Sequence, residues 1–190
     1  MKLVFATHNQ NKYSEVKKML PKHIELLSLT DIECFEEIAE TENTIEGNAK
    51  LKAEYVYNKY GIPCFADDTG LEVKSLNNEP GVRSARYAGE ENDSVANIKK
   101  LLKNLDGKED RSARFKTAIA LITNQEEKVF LGICEGEIIK ELRGESGFGY
   151  DPIFKPNNFD QTFAQMTLDQ KSEISHRGKA MRKLIDYLSN

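Results

Sequence analysis

Apolar and polar positions along this chain follow two periods, which predict both strands and helices. Residues 2–6 form a short apolar run of strand length, and apolar residues then return at helical spacing until Pro21. A second helical repeat follows Asn43 and Glu46, a pair that resembles a capping box, and the repeat ends at Gly61. These stretches are therefore predicted to form one strand and two helices.

The rest of the chain continues to alternate between the two periods. Residues 24–29 are typical of a strand, and residues 30–42 form an acidic, irregular passage. Asn92 or Asp93 begins a third helical repeat, which Gly107 ends. The remaining predicted elements are two long strands joined as a hairpin and a final helix: residues 113–123, residues 128–139 and the stretch after Gly178.

Two adjacent acidic residues, Asp67 and Asp68, follow a buried apolar run at residues 62–66 and are closed by Gly70. The pattern predicts a strand that ends in a turn, which is where open α/β sheets place their chemistry. Neighbouring strand side chains point to opposite faces, so at most one of the two carboxylates is expected to face a given ligand. Two carboxylates this close repel each other, so the pair needs a cation, a shared proton or several hydrogen-bond donors. The alternative is an Asx-type turn with both acids in water.

A polar loop follows the first strand and leads directly into the first helix. Helix N-termini present unpaired backbone N–H groups that attract anions, and this loop adds short polar donors and one lysine. It is not a Walker loop, because the glycines are missing. The loop is either a capped helix start or a phosphate site, and its residues are Thr7, His8, Asn9, Gln10, Asn11 and Lys12.

Three further stretches combine residue types that suit a ligand. Two glycines flank Phe148, so the backbone can approach a ligand and the ring can offer a flat face, although a glycine-rich bulge with core aromatics fits equally. His176 and Arg177 lie at the start of the last helix, where their polar groups could hold a ligand or simply lie at the surface. Asn48 and Lys52 share one helix face, where the lysine could also be a solvent lysine paired with a nearby Glu.

Composition narrows the class of protein. A chain of 190 residues fits one domain, residues 1–190. Its net charge of −4, with the basic residues scattered, argues against a general nucleic-acid binder, and no apolar run is long enough to span a membrane. Cys34, Cys64 and Cys134 are odd in number and lack zinc-site spacing, so they are predicted to be reduced core thiols in a cytoplasmic protein.

Five motifs occur together in sequence order. They are the loop of residues 7–12, Ala66-Asp67-Asp68-Thr69-Gly70-Leu71, Pro80-Gly81 with Ser84-Ala85-Arg86-Tyr87, Gly147-Phe148-Gly149-Tyr150-Asp151-Pro152, and Lys171 with Ser175-His176-Arg177-Gly178. With them the chain resembles, over essentially its whole length, the inosine triphosphate pyrophosphatase family. The resemblance implies an α/β fold with a long twisted mixed β-sheet and flanking helices, in two lobes around a central cleft. It also implies a homodimer and Mg²⁺-dependent hydrolysis of ITP, dITP or XTP to the monophosphate and pyrophosphate.

The resemblance also implies roles by motif position. Glu40 and Asp68 would bind the metal ion, Asp68 would accept the proton, and Asp67 would orient or assist. Lys12 and Lys52 would neutralise the departing pyrophosphate. The residues expected to contact substrate are those of the loop 7–12, together with Thr69, Phe148, Gly149, Tyr150, Asp151, Lys171, His176 and Arg177.

Selectivity for an oxygen at C6 of the base needs a buried donor. Such a donor gains a hydrogen bond from hypoxanthine or xanthine and is left unpaired by adenine. The candidate donors are His176, Arg177 and backbone N–H groups near Tyr150 and Asp151, with Phe148 stacking on the base. Arg177→Ala is then expected to lose turnover of ITP far more than it loses fold stability.

Two rival functions remain open on the sequence alone. Asp68-Thr69-Gly70 matches the aspartic protease signature, but a chain with a single copy would have to dimerise through that turn. A nucleotide-binding sensor without turnover would keep the same pocket.

Overall fold

The computed structural model describes residues 1–189, which form seven strands and five α-helices. The strands are β1 (Lys2–Phe5), β2 (Glu25–Leu27), β3 (Cys64–Val73), β4 (Glu79–Gly81), β5 (Ser112–Ile122), β6 (Glu127–Ile138) and β7 (Phe154–Pro156). The helices are α1 (Gln10–Met19), α2 (Ile45–Tyr60), α3 (Ser94–Asn104), α4 (Leu168–Ile174) and α5 (His176–Leu188).

The strands form one mixed sheet in the order β2-β1-β3-β5-β6-β7, with β4 paired to β3. β1 pairs in parallel with both β2 and β3, whereas β4 is antiparallel to β3 and β7 is antiparallel to β6. This mixed sheet, together with the helices, confirms the predicted fold class. β5 and β6 are neighbours in the sheet and lie where the long hairpin was predicted.

The chain divides into two compact units. Unit 1 comprises Met1–Asp68, Thr117–Gly132 and the chain from Arg177 onward, and unit 2 comprises Thr69–Lys116 and Ile133–His176. The division agrees with the two predicted lobes. The central cleft and the single domain over residues 1–190 stay predictions.

Each unit has an apolar core of its own. In unit 1 the rings of Phe5 and Phe65 stack with their centroids 4.6 Å apart. In unit 2 the ring of Phe115 packs edge-on against Phe154 at 4.7 Å, and Phe163 joins them. Full burial of one such side chain contributes about 1.5–3 kcal/mol, so these clusters hold the strands that carry the polar residues.

The first strand and helix set the position of the polar loop. Phe5 lies opposite Phe65 in the parallel pairing of β1 with β3, and the Ala6 N–H donates to Phe65 O at 2.8 Å. The loop therefore leaves β1 beside the stretch of β3 that carries Asp67. α1 then begins at Gln10, which confirms the predicted helix start.

One prediction about β3 is wrong. The strand runs without a turn through Asp67 and Asp68, which lie inside it rather than at its end. The turn was expected because Asp and Gly are depleted in strands. The strand continues because basic side chains from α1, α2 and α5 compensate the two carboxylates.

One further prediction about helices needs correction, one helix was missed, and two predictions hold. The N-cap of α2 is Thr44, one residue beyond the predicted box of Asn43 and Glu46. α4 was missed because its seven residues make only two turns, too few to establish a helical period. Gly61 ends α2 in the left-handed conformation and Asp93 caps α3, as predicted.

The prediction of unpaired core thiols is confirmed, since Cys34, Cys64 and Cys134 are all free and buried. Within residues 1–189, every helix is too short or too polar to cross a membrane.

Candidate active site

Asp67 lies at the centre of a buried set of ion pairs in unit 1. Its Oδ1 accepts from Lys12 Nζ at 3.0 Å and its Oδ2 accepts from Arg177 Nε at 3.1 Å. The side chain of Asp67 is 1% exposed and that of Arg177 is 3% exposed. Lys12 belongs to the first turn of α1 and Arg177 to the first turn of α5, so the starts of two helices meet at one residue of β3.

These cations determine the charge of Asp67. Burial alone would raise the pKa of Asp67, but the basic groups, Lys12 and Arg177 foremost, outweigh it and hold that pKa well below its ordinary value. Burial lowers the pKa of Lys12 more than the attraction of Asp67 raises it. Asp67 is therefore an anion throughout the ordinary pH range, and it holds both basic groups in place.

Arg177 has a second anionic partner, Glu15, which the sequence did not reveal. Arg177 Nη1 donates to Glu15 Oε2 at 2.5 Å, and the Glu15 side chain is mostly buried. Burial would lower the pKa of Arg177, but Asp67 and Glu15 outweigh this and raise it. A single glutamate on an amphipathic helix is typical of a solvated face, so no local signal could have identified this pair.

Asp68 has a different set of partners, as the alternation of side chains along a strand predicts. Lys52 Nζ lies 3.8 Å from Asp68 Oδ1 and 2.5 Å from Glu40 Oε1, and Asn48 Nδ2 donates to Asp68 Oδ2 at 3.3 Å. Asn48 and Lys52 lie together on α2, as predicted. Lys52 is buried, however, and is not a solvent lysine. One ammonium group thus compensates two carboxylates.

Asp68 also differs from Asp67 in the direction of its pKa shift. Burial raises the pKa of Asp68, and the neighbouring anions Glu40 and Asp67 act in the same direction. Lys52 and Lys12 oppose this shift of pKa without cancelling it. A carboxylate made more basic by burial suits proton acceptance. Adjacent acids whose environments push their pKa values apart are typical of a division of labour in catalysis.

Glu40 and Asp68 fit a magnesium ion. Their oxygens converge on one positive charge, the Lys52 ammonium, so this part of the protein accommodates a cation. Mg²⁺ prefers oxygen ligands and is usually held by one or two carboxylates with substrate phosphates and waters. Across residues 1–189, no group of three or more His, Cys, Asp or Glu side chains could hold a metal ion. The two carboxylates would therefore hold Mg²⁺ with the help of waters and substrate oxygens.

The polar loop after β1 caps α1 with its own side chains. Asn9 Oδ1 accepts from the N–H groups of Asn11 and Lys12 at 3.0 and 3.1 Å, and Thr7 Oγ1 accepts from the Asn9 N–H at 3.2 Å. The structure thus contains the capped helix start, and binding of phosphate by this loop stays a prediction. The exposed members of the loop are His8, Asn9, Gln10 and Asn11.

Asp151 organises the glycine-rich loop in unit 2. Its Oδ2 accepts from the Phe148 N–H at 2.9 Å and from Lys171 Nζ at 2.8 Å. The Lys171 ammonium also lies 5.0 Å from the centre of the Phe148 ring, within cation–π distance. Three of the predicted substrate residues therefore form one connected group, in which Asp151 and Lys171 are both buried.

The side chain of Tyr150 anchors the same loop. Its hydroxyl donates to Ser84 O at 2.8 Å, while Ser84 Oγ donates to Gly81 O and accepts from the Leu71 N–H. Contact of substrate with the backbone of Tyr150 stays a prediction. The same holds for Thr69, which lies half-buried on β3.

His176 and Arg177 have separate partners. The His176 ring stacks on Phe115 with the centroids 4.5 Å apart and packs against Phe163, whereas Arg177 bonds Asp67. Both residues are buried, which removes the alternative of two surface residues. Because Arg177 is an internal ion-pair partner, its removal is expected to affect folding as well as turnover.

Gly147→Ala should destabilise the protein more than Gly149→Ala does. The φ angles of these glycines are +80° and +60°, so alanine costs about 1–2 kcal/mol of backbone strain at either position. A Cβ at Gly147 would lie 2.1 Å from Asp151 Oδ2, whereas one at Gly149 meets nothing within 4 Å. Urea unfolding should show an additional loss of about 1–3 kcal/mol for Gly147→Ala. Equal losses for the two variants would contradict the close approach of Asp151 to Gly147.

This chain resembles known proteins over its full length, and a model of the Ham1 family matches residues 3–187. A dITP/XTP pyrophosphatase of Christiangramia forsetii is 62% identical over 189 residues, which are 100% of both chains. The Ham1 protein of Staphylococcus aureus, a solved structure, has a TM-score of 0.91 at 41% identity and covers 100% of this chain and 98% of its own. The solved structure of the Ham1 protein of Coxiella burnetii has a TM-score of 0.92 at 37% identity, and it covers 100% of this chain and 98% of its own.

Proposed function

Because the chain belongs to the Ham1 family, we propose that it hydrolyses ITP, dITP and XTP to the corresponding monophosphate and pyrophosphate. The family resemblance carried by the five sequence motifs is thereby confirmed. One observation carries the proposal beyond family membership. Asp67 and Asp68 are adjacent and buried, and one is fixed as an anion by basic groups while the other is made more basic by burial.

Asp68 would accept the proton from the water that attacks the α-phosphorus. Its raised pKa makes it a better base than an exposed aspartate, and its position beside Lys52 keeps it close to positive charge. Lys12 and Lys52 would stabilise the charge that develops on the departing pyrophosphate, since positioning and electrostatics dominate phosphoryl transfer. Asp67 would keep Lys12 in place for this task.

Mg²⁺, when bound, would polarise the phosphate oxygens and offset part of the charge on the triphosphate. Glu40 and Asp68 would hold the ion. In the protein itself, Lys52 keeps these two carboxylates near each other, because its ammonium group contacts both.

The residues of unit 2 would recognise the base. Two of the candidate donors for the C6 oxygen have internal acceptors: Arg177 bonds two carboxylates, and the Asp151 N–H donates to Phe148 O at 3.2 Å. His176 and the N–H of Tyr150 are the further candidates for the C6 contact. Phe148 would stack on the base.

Product analysis of the purified protein with ITP and Mg²⁺ tests the proposed function. We expect IMP and pyrophosphate, loss of activity in EDTA, and turnover of ATP slower by about 10⁴-fold or more, because a donor aimed at C6 is left unpaired by adenine. IDP with orthophosphate would indicate a simple phosphatase instead. The absence of any product would favour a nucleotide sensor.

A homodimer and a cytoplasmic location are further proposals, which rest on the family resemblance. The aspartic protease alternative loses support, because Asp68-Thr69-Gly70 lies within β3 rather than in a loop. Activity that survives EDTA and is lost to a peptide-like inhibitor would restore that alternative.

A further inference from the structure

Glu40, one of the two carboxylates that would hold the metal ion, lies on a segment without helix or strand. After the 3₁₀ turn at Thr30–Ile32, regular structure begins again only at α2, so residues 33–44 are irregular. A carboxylate on such a segment can take many positions unless tertiary contacts fix the backbone. How accurately Glu40 meets Lys52 therefore depends on what fixes this segment.

The side chain of Glu36 joins the segment to α2 before Glu40, as the Glu42 N–H does after it by donating to Asn48 Oδ1 at 2.9 Å. Glu36 Oε1 accepts from the Tyr55 hydroxyl at 2.7 Å and from the Lys59 ammonium. Tyr55 and Lys59 are four residues apart and so lie on one face of the helix, where they form a pair of donors for one carboxylate. The bonds from Lys59 and Tyr55 lower the pKa of Glu36 to about 2, so this acceptor stays charged at neutral pH.

The backbone of Glu36 makes a second attachment. His8 Nε2 donates to Glu36 O at 3.0 Å, which ties the segment to the loop that leaves β1. α2 also carries Lys52, the partner of Glu40, one turn before Tyr55. Glu36 thus connects the segment that bears Glu40 to the helix that bears the partner of Glu40.

We propose that Glu36 is a positioning residue that holds the Glu40 carboxylate at Lys52 and Asp68, and that its loss weakens binding of a divalent ion there. The inference rests on the proposed function, since it concerns the same site. Without the Glu36 carboxylate, residues 36–40 would sample more conformations, and the ion would have to order them on binding. The concentration of ion needed for half-saturation should therefore rise, whereas the rate at saturation should change little.

Glu36→Gln is the test variant and Glu37→Gln is its matched control. Both changes remove one negative charge from the same segment, and Glu37 is exposed. Hydrogen exchange followed by mass spectrometry, on the protein without metal, should show faster exchange over residues 33–43 in Glu36→Gln and not in the control. This readout does not depend on activity.

Metal binding is then measured directly with Mn²⁺ as the probe, from the relaxation of water protons. Outer partners of metal ligands commonly contribute 10- to 100-fold to affinity. Glu36 acts through the backbone, so a weakening of about threefold to tenfold is expected, with the control within about twofold. In steady-state assays, the Mg²⁺ concentration for half-maximal hydrolysis of ITP should rise by the same factor, while kcat at saturating Mg²⁺ stays within about twofold.

Tyr55→Phe provides a second variant in case Glu36→Gln folds poorly. It removes one donor and keeps Lys59, so a smaller weakening of Mn²⁺ binding in the same direction is expected. Unchanged Mn²⁺ affinity in both variants would overturn the proposal. A loss of kcat at saturating Mg²⁺ with unchanged half-saturation would overturn it too. A parent protein that does not hydrolyse ITP would instead count against the proposed function, and exchange and Mn²⁺ binding would still report on Glu36.

Discussion

Asp68→Asn should lower kcat for ITP by at least about 10³-fold while the protein remains folded. Asparagine has the same shape as aspartate, but it cannot take the proton from water and is a weaker ligand for a metal ion. The steady-state release of pyrophosphate measures the effect. Asp160→Asn, at an exposed position of unit 2, controls for the loss of one negative charge. Undiminished turnover in Asp68→Asn would exclude Asp68 as the base.

The same substitution should not cost stability at neutral pH. Burial raises the pKa of Asp68 above its value in the unfolded chain, so the folded protein binds more protons at this group than the unfolded chain does. The contribution of Asp68 to stability therefore falls as the pH rises above the unfolded pKa of about 4. Without metal, Asp68→Asn is expected to be at least as stable as the parent at pH 7, with the difference vanishing below about pH 4. Urea unfolding at the two pH values measures this.

Arg177→Ala should destabilise the protein by about 3–5 kcal/mol. The guanidinium group bonds Asp67 and Glu15, and its removal leaves two carboxylates with less compensation in a buried place. Domains of this size are stable by about 5–15 kcal/mol, so the loss is a large share of the total. The sequence alone predicted that turnover of ITP would be lost far more than fold stability, and the burial of Arg177 raises the expected loss of stability. Urea unfolding monitored by circular dichroism measures the effect.

Two further variants test whether the loss of stability comes from the buried ion pairs of Arg177 or from removing any arginine of α5. Arg182→Ala lies at an exposed position of the same helix and is expected to change stability by less than about 1 kcal/mol, the range of exposed ion pairs. Asp67→Asn combined with Arg177→Ala should lose less than the sum of the single losses, because one of the two stranded carboxylates is gone. A loss below about 1 kcal/mol for Arg177→Ala, or strict additivity, would contradict the buried ion pairs.

The sequence predicted those elements whose pattern is local. The first helix, the end of α2 at Gly61 and the cap of α3 at Asp93 each have a period or a terminal residue that can be recognised within a few positions. β3 could not be predicted in this way, because what makes an acidic strand tolerable comes from distant positions. Lys12 lies 55 positions from Asp67, and Arg177 lies 110 positions from it.

The candidate site shows the same limit. Family motifs pointed to Asp67, Asp68 and Arg177 by position, but the motifs do not state which side chain bonds which. That Asp67 is an anchored anion and Asp68 a more basic carboxylate follows from burial and from neighbouring charges, which exist only in the folded chain. Glu15 belongs to no motif, and its partner Arg177 lies 162 positions away.

Two acids on opposite sides of one strand have different hydrogen-bond partners, while Asp67 and Lys12 still contribute to the pKa shift of Asp68. Substitutions next to Asp68 can therefore change its hydrogen bonds without removing the ion pairs that join Asp67 to α1 and α5. If both acids had lain in a turn and shared one environment, each such change would have acted on both. The alternation of side chains along β3 therefore gives Asp67 and Asp68 separate hydrogen-bond partners.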